Sequence, residues 1–135
     1  MADLSRRFLA ETTARLDALA AEAAAGGFDD AIELIAGALR RGGVIQAFGT
    51  GHSQAFAMEI AGRAGGLIPA NAIRLEDLAL HGSLAADRLG GPELERDPAI
   101  VDELWSIYPI RPEDVFLIAS NSGVNGSIVG TALWA

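Results

Sequence analysis

Two short runs of glycine and hydroxyl residues carry the chemistry of this sequence: Gly49-Thr50-Gly51-His52-Ser53 and Ser120-Asn121-Ser122-Gly123-Val124-Asn125. Each follows an apolar run and precedes a helical pattern. Each is therefore expected at the carboxyl end of a strand, where free N–H groups of helix N-termini gather. Gly49, Gly51 and Gly123 let the backbone turn sharply and approach an anion, and the hydroxyls of Thr50, Ser53, Ser120 and Ser122 can donate to its oxygens. A phosphate is the natural guest. A dinucleotide fingerprint would need a third glycine where Gln54 stands, and a nucleotide P-loop needs a Gly-Lys-Ser/Thr that is absent.

Groups able to move a proton lie around these loops. The imidazole of His52 could serve as acid or base, or simply hydrogen-bond within its loop. Glu59, on the helix below the first loop, could move a proton on a bound ligand or be a solvated helix residue. Arg63 stands four residues after Glu59, the spacing of a helical ion pair. Trp105 and Trp134 read as core or interface residues. Cysteine is absent, so thiolate chemistry and disulfides are excluded, and no metal site or cofactor is expected.

The elements that must hold these loops follow from periodicity. Leu4, Phe8, Leu16, Leu19 and Ala23 recur at helical spacing and predict a long amphipathic helix that Gly26-Gly27 stops. Asp29 is placed to cap a second helix, with Ile32, Ile35, Ala36 and Leu39 on its apolar face, ending at Arg40-Arg41-Gly42-Gly43. Val44 to Phe48 predicts a strand leading into the first loop, and Gln54 to Arg63 a helix that Gly65-Gly66 breaks. Leu67 to Ile73 predicts a second strand, with Pro69 putting it at an edge or delaying its start. Residues 74–97 read as a long connection with one short helix, of the length that often carries function. Asp97-Pro98 opens a helix through Ile100, Val101, Leu104 and Trp105. Val115 to Ala119 reads as a strand buried on both faces of a parallel sheet, and a last helix follows Asn125.

The chain of 135 residues, half of them apolar, suits one α/β domain: N-terminal helices over 1–42 and a parallel βα core over 43–135. Its formal charge of −8 argues against nucleic acid as a partner, while leaving room for a small anion in one concave site. Neither a leader nor a membrane-spanning run is read from the sequence, so the cytoplasm is the expected compartment and no membrane partner is expected. The apolar face of Ile128, Val129, Leu133 and Trp134 closes the chain where a further strand is expected, and this incompleteness predicts that the chain folds poorly or as an oligomer.

The paired loops resemble the sugar isomerase (SIS) domain of phosphosugar-binding proteins. His52-Ser53, Ala64-Gly65-Gly66-Leu67, Glu95-Arg96 and Ser120-Asn121-Ser122-Gly123-Val124-Asn125 are similar to the SIS subfamily UPF0309. The resemblance implies an SIS-like three-layer sandwich, a parallel sheet flanked by helices, of which this chain lacks the C-terminal strands. It implies a phosphosugar-binding set of Gly49, Thr50, Gly51, Ser53, Ser120, Asn121, Ser122, Gly123 and Asn125, with Ser53, Ser120, Ser122 and Asn125 on the phosphate. His81 and Glu95 fall in the connection to which a partner subunit often contributes in this family, so His81 joins His52 and Glu59 as a catalytic candidate. The implied function is binding of a sugar phosphate by a homo-oligomer, dimer or tetramer. Aldose–ketose phosphosugar isomerisation and non-catalytic binding or regulation both remain open, because SIS domains serve both uses.

Overall fold

Glycine pairs end the first two helices by the same device. Helix α1 spans Ala2–Ala24 and α2 Asp29–Arg40 in the computed structural model, which describes residues 2–89 and 91–135. Met1 and Gly90, the latter within the long connection, lie outside the described residues. After α1, Gly26 adopts φ +82°. Its N–H reaches the Ala23 carbonyl at 3.1 Å, while that of Gly27 reaches Glu22 at 3.0 Å. After α2, Gly42 at φ +78° and Gly43 bond back to Leu39 and Ala38 at 3.0 and 2.9 Å. Both are Schellman closures, which satisfy carbonyls that the helix leaves without partners. Asp29 is the first helical residue of α2 rather than its cap. The Phe28 carbonyl already accepts from Ile32 N–H at 2.9 Å.

The chain divides into two compact units, residues 1–36 and 37–135. In the first, the predicted apolar stripe of α1 is exposed, from Leu19 at 54% to Leu4 at 71%. The second holds a three-stranded parallel sheet in the order β2-β1-β3. Strand β1 (Ile45–Gly49) lies in the centre, wholly buried, between β2 (Ala70–Ile73) and β3 (Val115–Ala119). In register, Phe48 sits opposite Ile73 and Ile118, and Gly49 opposite Ala119.

Proline sets the start of β2. Expected from Leu67, the strand begins at Ala70. Pro69 has no N–H to give and enters only as an acceptor, taking a 2.9 Å bond from Ile45 N–H. Strand β3 departs from the expectation of burial on both faces. Only Val115 is buried and Phe116 to Ala119 are half-buried, because among the described residues β3 pairs on one edge only.

Helix α3 (Gln54–Ile60) stops short of Arg63, with Ala61 extended and Gly62 at φ +81°. The connection expected to hold one short helix holds α4 (Asp77–Leu80), a 3-10 turn at Ala86–Arg88, and α5 (Pro92–Arg96). Leu78 and Leu94 anchor α4 and α5 in the core. Helix α6 (Ile100–Ile107) starts two residues later than expected, with Ala99 rather than Asp97 at its N-cap, while Asp97 Oδ1 accepts from Ala99 N–H at 2.9 Å in the turn that precedes it. The Tyr108 hydroxyl that follows it donates to Asp77 and accepts from Arg74 N–H at 3.2 Å, tying α4 to the end of α6. Burial, then that bond to Asp77, push its pKa above the ordinary phenol value. Helix α7 spans Gly126–Trp134.

A polar clamp crosses the amino end of the sheet. Asp114, its side chain 1% exposed, accepts from Val44 N–H at 2.8 Å, Gln46 Nε2 at 2.9 Å and Arg111 N–H at 3.1 Å. Gln46 in turn accepts from Asn71 Nδ2 at 3.0 Å, so one chain of hydrogen bonds reaches all three strands. Burial alone would raise the Asp114 pKa. The Gln46 bond, the Val44 and Arg111 backbone bonds and the Arg111 charge outweigh it and hold the carboxyl below its ordinary value. A depressed carboxyl contributes stability above its unfolded pKa of about 3.9, and that contribution is lost as pH falls through the folded value. Asp114→Asn is expected to cost about 1–3 kcal/mol at pH 7, since it turns a donor toward groups that need an acceptor. Denaturant titrations from pH 7 to 3 should show the variant losing less additional stability in the acid limb than the parent. Parallel acid limbs would exclude Asp114 as the group responsible.

Candidate functional site

Because Gly49 and Ala119 are paired in register, both loops leave adjacent strands side by side at the same end of the sheet. The first loop carries buried Thr50 into a 3-10 turn at Gly51–Ser53, with Gly51 at φ +55°. Ser53 stands at the N-cap of α3 in helical conformation, and its hydroxyl makes no capping bond. The second loop is folded by its own serines. Ser120 Oγ accepts from Gly123 N–H at 2.9 Å and Ser122 Oγ from Val124 N–H at 3.5 Å, around Gly123 at φ +69°. Asn125, the N-cap of α7, likewise leaves its side chain out of the cap.

The loops meet in a cavity of about 510 Å³. Thr50, Gly51, His52 and Ser53 line one side, and Ser120, Asn121, Ser122 and Asn125 the other, with Glu95 between. Gly49 lines an adjoining cavity of about 340 Å³ that shares Thr50, Gly51 and Glu95 with the first. Gly123, the turn residue, lines neither. Glu59 and His81 are also outside the lining of both cavities. Glu59 pairs with Arg63 at 3.1 Å, side chains 72% and 54% exposed, the helical spacing anticipated for them. His81 is exposed at the C-terminal end of α4.

Glu95 reaches the loops within its own chain, whereas the sequence suggested it only for a site shared with a partner. Its helix α5 is seated on α7, where Ser127 Oγ donates to the Glu95 carbonyl at 2.6 Å. A Cβ on Gly126 would lie 2.2 Å from the Arg96 carbonyl oxygen, so only glycine admits that approach. Gln54 and Glu76, which line the smaller cavity, went unmarked in the sequence. Among the described residues no group of three or more His, Cys, Asp or Glu could hold a metal, and no helix is long and apolar enough to cross a membrane.

Comparison with known proteins gives the fold a family. The SIS domain profile matches residues 7–135. A UPF0309 protein of Geobacillus kaustophilus is 37% identical over 105 residues, covering 78% of this chain and 40% of that protein. One from Listeria monocytogenes is 38% identical over 104 residues, 77% of this chain and 39% of its own length. One from Brucella ovis is 35% identical over 140 residues, which take in 100% of this chain and 54% of the relative. The chain thus spans about two fifths to one half of the length of the curated relatives it matches. With the profile matched across the sheet and both loops, the chain belongs to the SIS domain family.

Proposed function

We propose that this chain binds a phosphorylated sugar between the loops Gly49–Ser53 and Ser120–Asn125, as a phosphosugar-binding SIS protein. The observation that carries the reading is the cavity of about 510 Å³ in which the two loops face each other. Ser53 and Asn125 support it further: both stand at N-caps, and neither spends its side chain on its own helix. Uncommitted hydroxyl and carboxamide groups beside backbone N–H groups are a suitable cradle for phosphate oxygens. The exposed apolar stripe of α1 supports assembly as a homo-oligomer, which sedimentation tests.

A melt with and without sugar phosphates and their unphosphorylated counterparts tests the binding. Ligand at a hundredfold its Kd adds about 2.7 kcal/mol of apparent stability, and only phosphorylated sugars should do so. The double variant Ser53→Ala, Asn125→Ala should reduce affinity about tenfold or more, with the free protein's stability changed by no more than about 0.5 kcal/mol. Undiminished affinity in that variant would remove both residues from the site.

His52 supports the finer reading of an aldose–ketose isomerase, since it lines the same cavity. Its imidazole would take the C2 proton of the open aldose. The C–H electron pair would form the enediolate, the proton would return to C1, and the C2 hydroxyl proton would pass to O1. Detecting no turnover of any aldose or ketose phosphate at high protein concentration would leave the non-catalytic binding module.

A further inference from the structure

The wall of the smaller cavity carries two carboxylates beside the Thr50 hydroxyl and the Gln54 carboxamide. The carboxylates of Glu76 and Glu95 line it, and the carboxamide of Gln54 is partly committed, its Nε2 donating to Glu76 at 3.0 Å. The remainder is largely leucine, proline and glycine. The chain contains no lysine, and none of its arginines lines either cavity. Glu95 stands at the border of the two spaces, half-buried, its Oε2 3.2 Å from where a Cβ on Gly51 would lie. At about 340 Å³ the cavity is within the size range of small-molecule sites.

We infer that the sugar body extends from the two-loop site past Gly51 into this second cavity, and that Glu76 and Glu95 there select monophosphates of amino sugars, then neutral sugars, over sugar acids and bisphosphates. The inference rests on the two-loop reading of the phosphate site. Two carboxylates with no facing cation repel a second anion and attract an ammonium group, while sugar hydroxyls can donate to them. A bare phosphate held by the loops meets only Glu95 of the two carboxylates, whereas a sugar body would meet both, which separates the two readings in an experiment.

Calorimetric titration of the full chain with inorganic phosphate, glucosamine 6-phosphate, glucose 6-phosphate, 6-phosphogluconate and fructose 1,6-bisphosphate makes the test. The amino sugar phosphate is expected to bind about threefold or more tightly than glucose 6-phosphate, and the two acidic ligands about tenfold or more weakly. In the double variant Glu76→Gln, Glu95→Gln both preferences should shrink to within about threefold, a change in ratios that a general loss of structure would not produce. Equal binding of 6-phosphogluconate and glucose 6-phosphate overturns the inference. So does binding of inorganic phosphate with no gain from either hexose phosphate. Failure of every ligand, inorganic phosphate included, overturns the two-loop reading and this inference with it.

Discussion

Gly49→Ala is expected to destabilise the protein by about 3 kcal/mol and to weaken sugar-phosphate binding by about tenfold or more. Gly49 ends the buried central strand, and a Cβ there would lie 2.4 Å from the Ser53 carbonyl oxygen, 2.7 Å from its carbon and 3.2 Å from the Ala119 oxygen. All three are backbone atoms, so no side chain can rotate away. Either the turn over Thr50–Ser53 opens or the end of β1 draws back from β3, and both movements displace Thr50 and Ser53 from the second loop. Gly51→Ala provides the contrast. Its φ of +55° costs an L-residue about 1–2 kcal/mol, but the nearest atom is the mobile end of Glu95, so the loop stays in place. Denaturant melts and calorimetric affinities for both variants should therefore separate them, with the larger loss of binding at Gly49. Unchanged affinity in Gly49→Ala would mean that close approach of strand to turn does not form the site.

What could be read from the sequence was what local signals encode. The two Schellman glycines, the delay imposed by Pro69 and the two strand–loop–helix units each depend on a few neighbouring residues, and the structure reproduces them. Helices α4 and α5 do not both show in the sequence, which predicts one short helix there, because four and five residues are too few for a 3.6-residue period to show. Helix α3 ends before the expected Arg63 because Gly62 stops it, and a single glycine is a weaker signal in the sequence than the pair that follows. The half-burial of β3 depends on strand order, which an apolar run does not specify. The candidate site divides in the same way. Its loops were legible, whereas Glu95 and Glu76 arrive through tertiary packing, one by way of the contact that Gly126 and Ser127 make with α5. No spacing in the sequence announces that contact. The place of Glu59 on the helix below a loop is a one-dimensional cue that leaves open which way its side chain points, and it pairs with Arg63 outside both cavity linings.

Trp105→Ala is expected to cost about 3–5 kcal/mol, as removal of a large buried aromatic does. Trp105 is 4% exposed in the main core, edge-on to Phe48 at 5.9 Å and to Phe116 at 5.3 Å, with Trp134 tilted against it at 5.3 Å. Such ring pairs add about 0.5–1.5 kcal/mol each beyond the area they bury, so three contacts leave together. Phe48 immediately precedes Gly49, and the cavity left by alanine would open directly behind the end of β1. The indole Nε1 is buried with no hydrogen-bond partner among the described residues, an arrangement that itself costs about 1–3 kcal/mol. Trp105→Phe keeps an aromatic ring against Phe48 and removes that unpaired donor, so its net cost should be about 1 kcal/mol or less, with sugar-phosphate affinity retained. Denaturant melts of the two variants separate packing from polar burial. A phenylalanine variant as unstable as the alanine one would make the full indole volume the quantity that holds α6 against the sheet, and the orphaned donor energetically minor.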